Sequence, residues 1–223
     1  MKKMILFTSI FFLIILLSSQ ITSGYTIDDP VPDRIGDWRF EIYGIDVTLS
    51  GNSLNFSLYT NYPKAGYTVG SWATFAGDLA IDPTGGTNYK YGIALTDHDG
   101  FTAGSLYDVS QWYTSNHYAP SSGYSYNHDQ IVTVQAGTFV GSATSFSWFN
   151  GPGGPDYHID IKLDQSLLSG FGGEIGLHWA SATCANDYIN GTDSVSEPST
   201  ILLVGSGLIG LAGYGRKKFR GKR

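Results

Sequence analysis

Cysteine is nearly missing from this chain: Cys184 stands alone among 223 residues. No intramolecular disulfide can form, so thiol pairing does not set the fold. A lone thiol of this kind is expected to sit inside as a small apolar side chain. Charge is sparse as well, at 14% of residues, against roughly 25% in ordinary soluble domains. Basic residues are rarest in the long middle of the chain. Between residues 25 and 197 there are five, Arg34, Arg39, Lys64, Lys90 and Lys162, against all nineteen acidic residues, a net charge of −14. Such a segment has no basic patch for phosphate, which excludes nucleic acid as a partner. It suits solubility and association with divalent cations. Helical periodicity is lacking too, apart from a turn expected near Gln165–Leu168.

What the middle does have is glycine, aromatic residues and alternation. Glycine numbers 29 and the aromatics make up 14%, a composition foreign to disordered chains. "IDVTLS" (Ile45–Ser50) points Ile45, Val47 and Leu49 one way, and "SLNFSLYT" (Ser53–Thr60) does the same with Leu54, Phe56 and Leu58. Gly51-Asn52 between them is a two-residue hairpin turn with glycine first. Upstream, Trp38, Phe40 and Ile42 alternate in the opposite phase, so a bulge is expected at Tyr43-Gly44. "YKYGIAL" (Tyr89–Leu95), "QIVTV" (Gln130–Val134), "SFSWF" (Ser145–Phe149), "YHIDIKL" (Tyr157–Leu163) and "EIGLHWA" (Glu174–Ala180) are further strands. Thr114–Asp129 reads as a long polar and aromatic loop. Many short strands joined by glycine-rich turns predict an all-β fold, a β-sandwich of jelly-roll type, over residues 25–195.

The two ends differ from the middle. Lys2 and Lys3 precede an apolar run, Met4–Leu17, and then small and polar residues up to Gly24. That is the layout of a secretory signal peptide over residues 1–24, with cleavage near Gly24. At the other end, residues 201–214 contain no charge, and six basic residues follow from Arg216 to Arg223. As a transmembrane helix this apolar run is about 21 Å long, short for a bilayer but within what flanking residues and local thinning accommodate. The basic cluster Arg216, Lys217, Lys218 and Arg220 then stays cytoplasmic and the acidic middle lies outside. "GSGLIG" (Gly205–Gly210) has the G-x-G-x-x-G spacing, but the chain ends before the acidic residue a dinucleotide site needs.

Ser196-Glu197-Pro198, the apolar run and "GRKKFR" together resemble the PEP-CTERM sorting signal of Gram-negative bacteria, over residues 196–223. Glu197 and Pro198 match the second and third positions of its Pro-Glu-Pro tripeptide, and Ser196 stands at the first. "HWASATCANDYING" (His178–Gly191) also looks like a segment seen before the tail in some of these proteins. The resemblance implies an exosortase as partner, cleavage at the tripeptide, transient residence in the inner membrane, and delivery to the cell surface or extracellular matrix.

The middle offers several candidate chemistries. Asp97, Asp99 and Asp108 have the start and end of a calcium loop, but Phe101 and Thr102 fill positions five and six, so it is not an EF-hand. An irregular calcium site there is the one metal the spacing permits, and no other cofactor is called for. Glycoside hydrolysis needs paired carboxyls; Glu174 shares a strand face with His178, yet no pair stands out. The five histidines are dispersed, with no zinc spacing. Gln111–Tyr118, "QWYTSNHY", has the composition for stacking on sugars. The expectation is an exported, non-enzymatic surface protein with a structural or adhesive role. A polysaccharide-binding module, with or without calcium, is the alternative, and a glycoside hydrolase the third.

Overall fold

The computed structural model describes residues 22–118, 124–151, 155–195 and 207. The expected sorting residues Ser196, Glu197 and Pro198, the basic tail, and residues 1–21 of the expected signal peptide 1–24 lie outside the described residues, as does all of the expected 201–214 helix but Gly207, while Thr22–Gly24 open the first strand. No helix among the described residues is long and apolar enough to cross a membrane.

In chain order the strands are β1 (Thr22–Asp28), β2 (Ile42–Ser50), β3 (Ser53–Thr60), β4 (Tyr67–Val69), β5 (Trp72–Thr74), β6 (Leu79–Asp82) and β7 (Tyr91–Ile93). They continue with β8 (Ser105–Thr114), β9 (Ile131–Ser142), β10 (Ser145–Asn150), β11 (Tyr157–Asp164), β12 (Glu174–Ala180) and β13 (Tyr188–Ser194). A single helical turn, α1 (Ser115–Tyr118), follows β8. One sheet runs β1-β2-β3-β11-β10, a second β13-β12-β6-β7-β8-β9, and β4 pairs with β5 alone.

Alternation decides what each sheet buries. Ile45, Val47 and Leu49 of β2 lie opposite Leu58, Phe56 and Leu54 of β3, which in turn face Ile159, Ile161 and Leu163 of β11. From the second sheet come Leu79, Ile81, Tyr91, Ile93, Leu106, Ile175, Leu177 and Trp179, and both sets share one buried core. Two sheets closing on one core make a β-sandwich. Each such fully buried side chain is worth roughly 1.5–3 kcal/mol. Cys184 joins this core as a free, buried thiol, its pKa pushed up to about 12 by burial.

The hairpin turn is as expected, with Gly51 at φ 57 and Ser50 opposite Ser53. The bulge also falls where the phase changes, between Ile42 and Gly44. Trp38–Phe40, however, is a 3₁₀ turn and not a strand. Asp37 causes this: its side chain accepts the Arg39 N–H at 3.0 Å and turns the backbone. Trp38 is thereby left exposed.

The strand order differs from the expected jelly roll. A jelly roll folds one long antiparallel hairpin over the core, so paired strands approach each other along the chain. Here β3 and β11 are neighbours in one sheet, and the next strands along the chain that belong to the other large sheet, β6 and β12, are neighbours there. Two interlocked crossings with β10 beside β11 and β13 beside β12 give the Greek-key order of immunoglobulin-type sandwiches, extended by β1 at one edge and β7, β8 and β9 at another. This is a statement of topology and carries no activity with it.

Candidate functional site

The connection from β3 to β6 carries the β4–β5 hairpin, and that hairpin forms one wall of a groove of about 370 Å³. Its lining includes Asp37, Tyr67, Val69, Trp72, Tyr124 and Asn186. Trp72 and Tyr124 approach at 5.9 Å between ring centroids, tilted by 54°. Gly70, at φ 62 in the hairpin turn, permits this approach, because a β-carbon there would lie 2.6 Å from the Tyr124 hydroxyl. Tyr124 is exposed, while Tyr67 and Trp72 are half-buried and so held in place.

One rim of the groove is polar and tightly ordered. Asp37 receives the Tyr67 hydroxyl and an Arg39 guanidinium N–H, both at 3.0 Å. The Arg39 guanidinium lies 4.7 Å over the Tyr67 ring and 4.9 Å over Trp38. Burial alone would raise the Asp37 pKa, but the Arg39 backbone N–H, the Tyr67 hydroxyl and the Arg39 charge outweigh it and hold the group below the usual carboxylate range. The rim therefore presents an ionised acceptor beside aromatic faces.

A second, more polar cavity of about 380 Å³ opens over Asp28, Asp29, Asp33, Asn127, Asp187 and Asn190. Asp29, Asp33 and Asp187 bring carboxylate oxygens within 4.8 Å of one another, the one such acidic group among the described residues. Burial, then the charges of Asp187 and Asp33, a hydrogen bond with Asp33 and the charge of Glu41, push the Asp29 pKa up to about 8. Burial likewise lifts Asp187 to about 7, with Asp33 and Glu41 adding to it and the Ile42 N–H, bonded at 2.7 Å, opposing it.

Asp97, Asp99 and Asp108 are not brought together in this way. Asp97 accepts the Ala103 N–H at 2.8 Å, Asp99 lies 3.7 Å from His98, and Asp108 pairs with Lys90 at 3.4 Å on the face of β8. Glu174 and His178 share a strand without forming a site. Glu174 is exposed, whereas His178 is 3% exposed. Its Nε2 donates to Ile131 O at 2.6 Å, and burial lowers its pKa. The aromatic run Gln111–Tyr118 is engaged internally. Trp112 Nε1 donates to Tyr89 O at 2.9 Å, and Tyr113 stacks on His117 at 3.9 Å. The groove instead draws Tyr67, Trp72 and Tyr124 from separate segments, and no local pattern flags them.

Residues 194–217 match the family model of the PEP-CTERM protein-sorting motif. None of the curated proteins and none of the solved structures matches the chain. The chain thus carries a PEP-CTERM sorting signal over those residues and is the substrate of an exosortase, exported and processed at the membrane.

Proposed function

We propose that the sandwich is an adhesive, non-catalytic module that holds extracellular polysaccharide in the groove of Tyr67, Trp72 and Tyr124. The observation that carries this reading is the groove itself. Sugar rings present apolar C–H faces that stack on aromatic side chains and hydroxyls that need acceptors and donors. Trp72 and Tyr124 supply the faces, and Asp37, fixed by Arg39 and Tyr67, supplies the acceptor. Its volume falls in the range of small-molecule sites. Binding in place of hydrolysis is favoured because Asp37 is the single carboxylate lining the groove among the described residues, and glycosidic cleavage calls for two that flank the bond. The sorting signal supports a ligand met outside the cell.

The test is binding of the protein released by its native cells to a glycan array. Trp72→Ala combined with Tyr124→Ala is expected to weaken binding roughly tenfold or more, since each lost ring removes on the order of 0.5–1.5 kcal/mol of stacking beyond its buried area. Phe139→Ala, which removes an exposed ring outside the groove, should leave binding unchanged. A correctly folded double variant that binds like the wild type would sink the proposal.

A further inference from the structure

We infer that the outer edge of β9 pairs with the same edge of a second copy of this chain, joining two sandwiches through one continuous sheet. β9 is the last strand of its sheet and pairs with β8 alone. Its first residues are covered. Val132 O accepts the Asp78 N–H at 2.7 Å, the Val134 N–H donates to Asp78 Oδ2 at 2.8 Å, and His178 Nε2 donates to Ile131 O at 2.6 Å. Beyond them, no backbone bond of residues 135–142 leaves the β8–β9 pair among the described residues. That stretch is about 27 Å of strand with one side unpaired. Natural sheets blunt such an edge with charge, proline or a short strand, and this one has none of these. Residues 130–155 contain no charge, and no proline comes before Pro152. The strands at the far edges, β1 and β13, carry Asp28 and Asp193. Phe139, within the unpaired stretch, is 58% exposed, the most exposed large apolar side chain among the described residues.

Charge and symmetry select the occupant. Residues 25–197 carry a net charge of −14, so two copies repel over most of their surfaces and approach closely where charge is absent. Asp108, opposite Thr138 on β8, is already paired with Lys90 at 3.4 Å. A strand edge set antiparallel to its own copy about a two-fold axis is complementary to itself, each free N–H meeting a C=O of the other copy. With the axis at Thr138, that residue faces its own counterpart. β10 is the other uncharged edge, but it has only six residues, and its exposed ring, Phe149, is stacked on His158 at 4.9 Å.

Analytical ultracentrifugation of the protein released by its native cells, with no saccharide present, tests this apart from the groove. At about 100 µM it should sediment at the mass of two copies, since a Kd of about 10 µM or tighter leaves mostly dimer there. Thr138→Lys and Thr138→Glu, changes at an exposed side chain, each oppose two like charges across the axis. Each should weaken association at least tenfold with an unchanged circular dichroism spectrum, and an equimolar mixture of the two should recover the two-copy mass. The backbone carries the pairing, so Phe139→Ala leaves it standing. Ser147→Lys on β10, and Trp72→Ala combined with Tyr124→Ala in the groove, should associate like the wild type. A wild type that stays at the mass of one copy, unimpaired association of Thr138→Lys, no recovery in the mixture, or loss in Ser147→Lys alone would each overturn the assignment.

Discussion

Replacing Asp78 by asparagine is expected to destabilise the sandwich by about 3–5 kcal/mol, a large share of the roughly 5–15 kcal/mol that holds a domain folded. Asp78 is fully buried just before β6. Its carboxylate accepts the Leu95 N–H at 3.2 Å, the Val134 N–H at 2.8 Å and His98 Nε2 at 2.9 Å. One side chain thus ties the start of β6 to β9 and to the segment beyond β7. An amide offers one acceptor oxygen and turns its NH₂ toward a donor, leaving a buried N–H unmet. His98 gives the interaction a pH signature. Burial would lower its pKa, but the hydrogen bond and charge of Asp78, with Asp99 adding, raise it above the ordinary value. The folded state then favours the protonated ring. That contribution is whole below the unfolded pKa of about 6.5 and is lost as pH rises through the raised folded value. Asp29 and Asp187, with pKa values also raised, bias stability in the same direction. The His98 share is therefore read as the difference between wild type and His98→Gln in urea unfolding at pH 6 and pH 9. Asp99→Asn, at a side chain 57% exposed and 3.7 Å from His98, should cost less than about 1 kcal/mol. A urea midpoint for Asp78→Asn equal to the wild type would show that the buried carboxylate holds nothing.

The parts of the fold that sequence made legible are those where one face is dry and the register unbroken. The β2–β3 hairpin and β11 alternate cleanly, with Ile159, Ile161 and Leu163 buried and Lys162 exposed. In β8 the register with β9 slips repeatedly, at Leu106/Tyr107, around Gln111 and at Tyr113/Thr114. Each slip moves the next side chain to the other face, so Ser105–Thr114 shows no clean period. His178 misleads for a different reason. Its strand is buried on both faces, because Val132, Ala180 and Ala185 make a second small core on the outer side. A residue opposite the main core then looks exposed in the pattern and is not.

Sites were less legible than strands, because their residues meet only in three dimensions. Asp187 follows Asn186 in what reads as a turn, and Asp29 and Asp33 sit among Pro30 and Pro32 more than 150 positions earlier. Nothing in that spacing announces that their carboxylates lie within 4.8 Å. Asp97 and Asp99, by contrast, have the spacing of a ligand loop, but their side chains are spent on Ala103 N–H and on the neighbourhood of His98. Spacing identifies ligands only when the loop geometry around them is itself fixed by sequence, as glycine at position six fixes an EF-hand.

Changing Glu197 or Pro198 to alanine is expected to leave a larger form held in the membrane and to cut release of the mature protein at least tenfold. The structure supports a cut at this point that spares the fold. β13 ends at Ser194, and Val195, fully buried, makes the last backbone bond among the described residues, its N–H to Gly173 O at 2.6 Å. The tripeptide begins one residue later, so cleavage there removes the apolar and basic tail and leaves every strand of the described residues intact. Until then, residues 201–214 would, if helical, make a marginal span of about 21 Å. The six basic residues after them are expected to keep such a span from slipping through the membrane. Deleting residues 216–223 should therefore reduce the membrane-bound fraction of the uncut Pro198→Ala chain, since the short apolar run alone resists translocation weakly. Cell fractionation and immunoblotting read both effects. Release of a normally sized product from the Glu197 and Pro198 variants at the wild-type level would separate the sorting signal from these two residues.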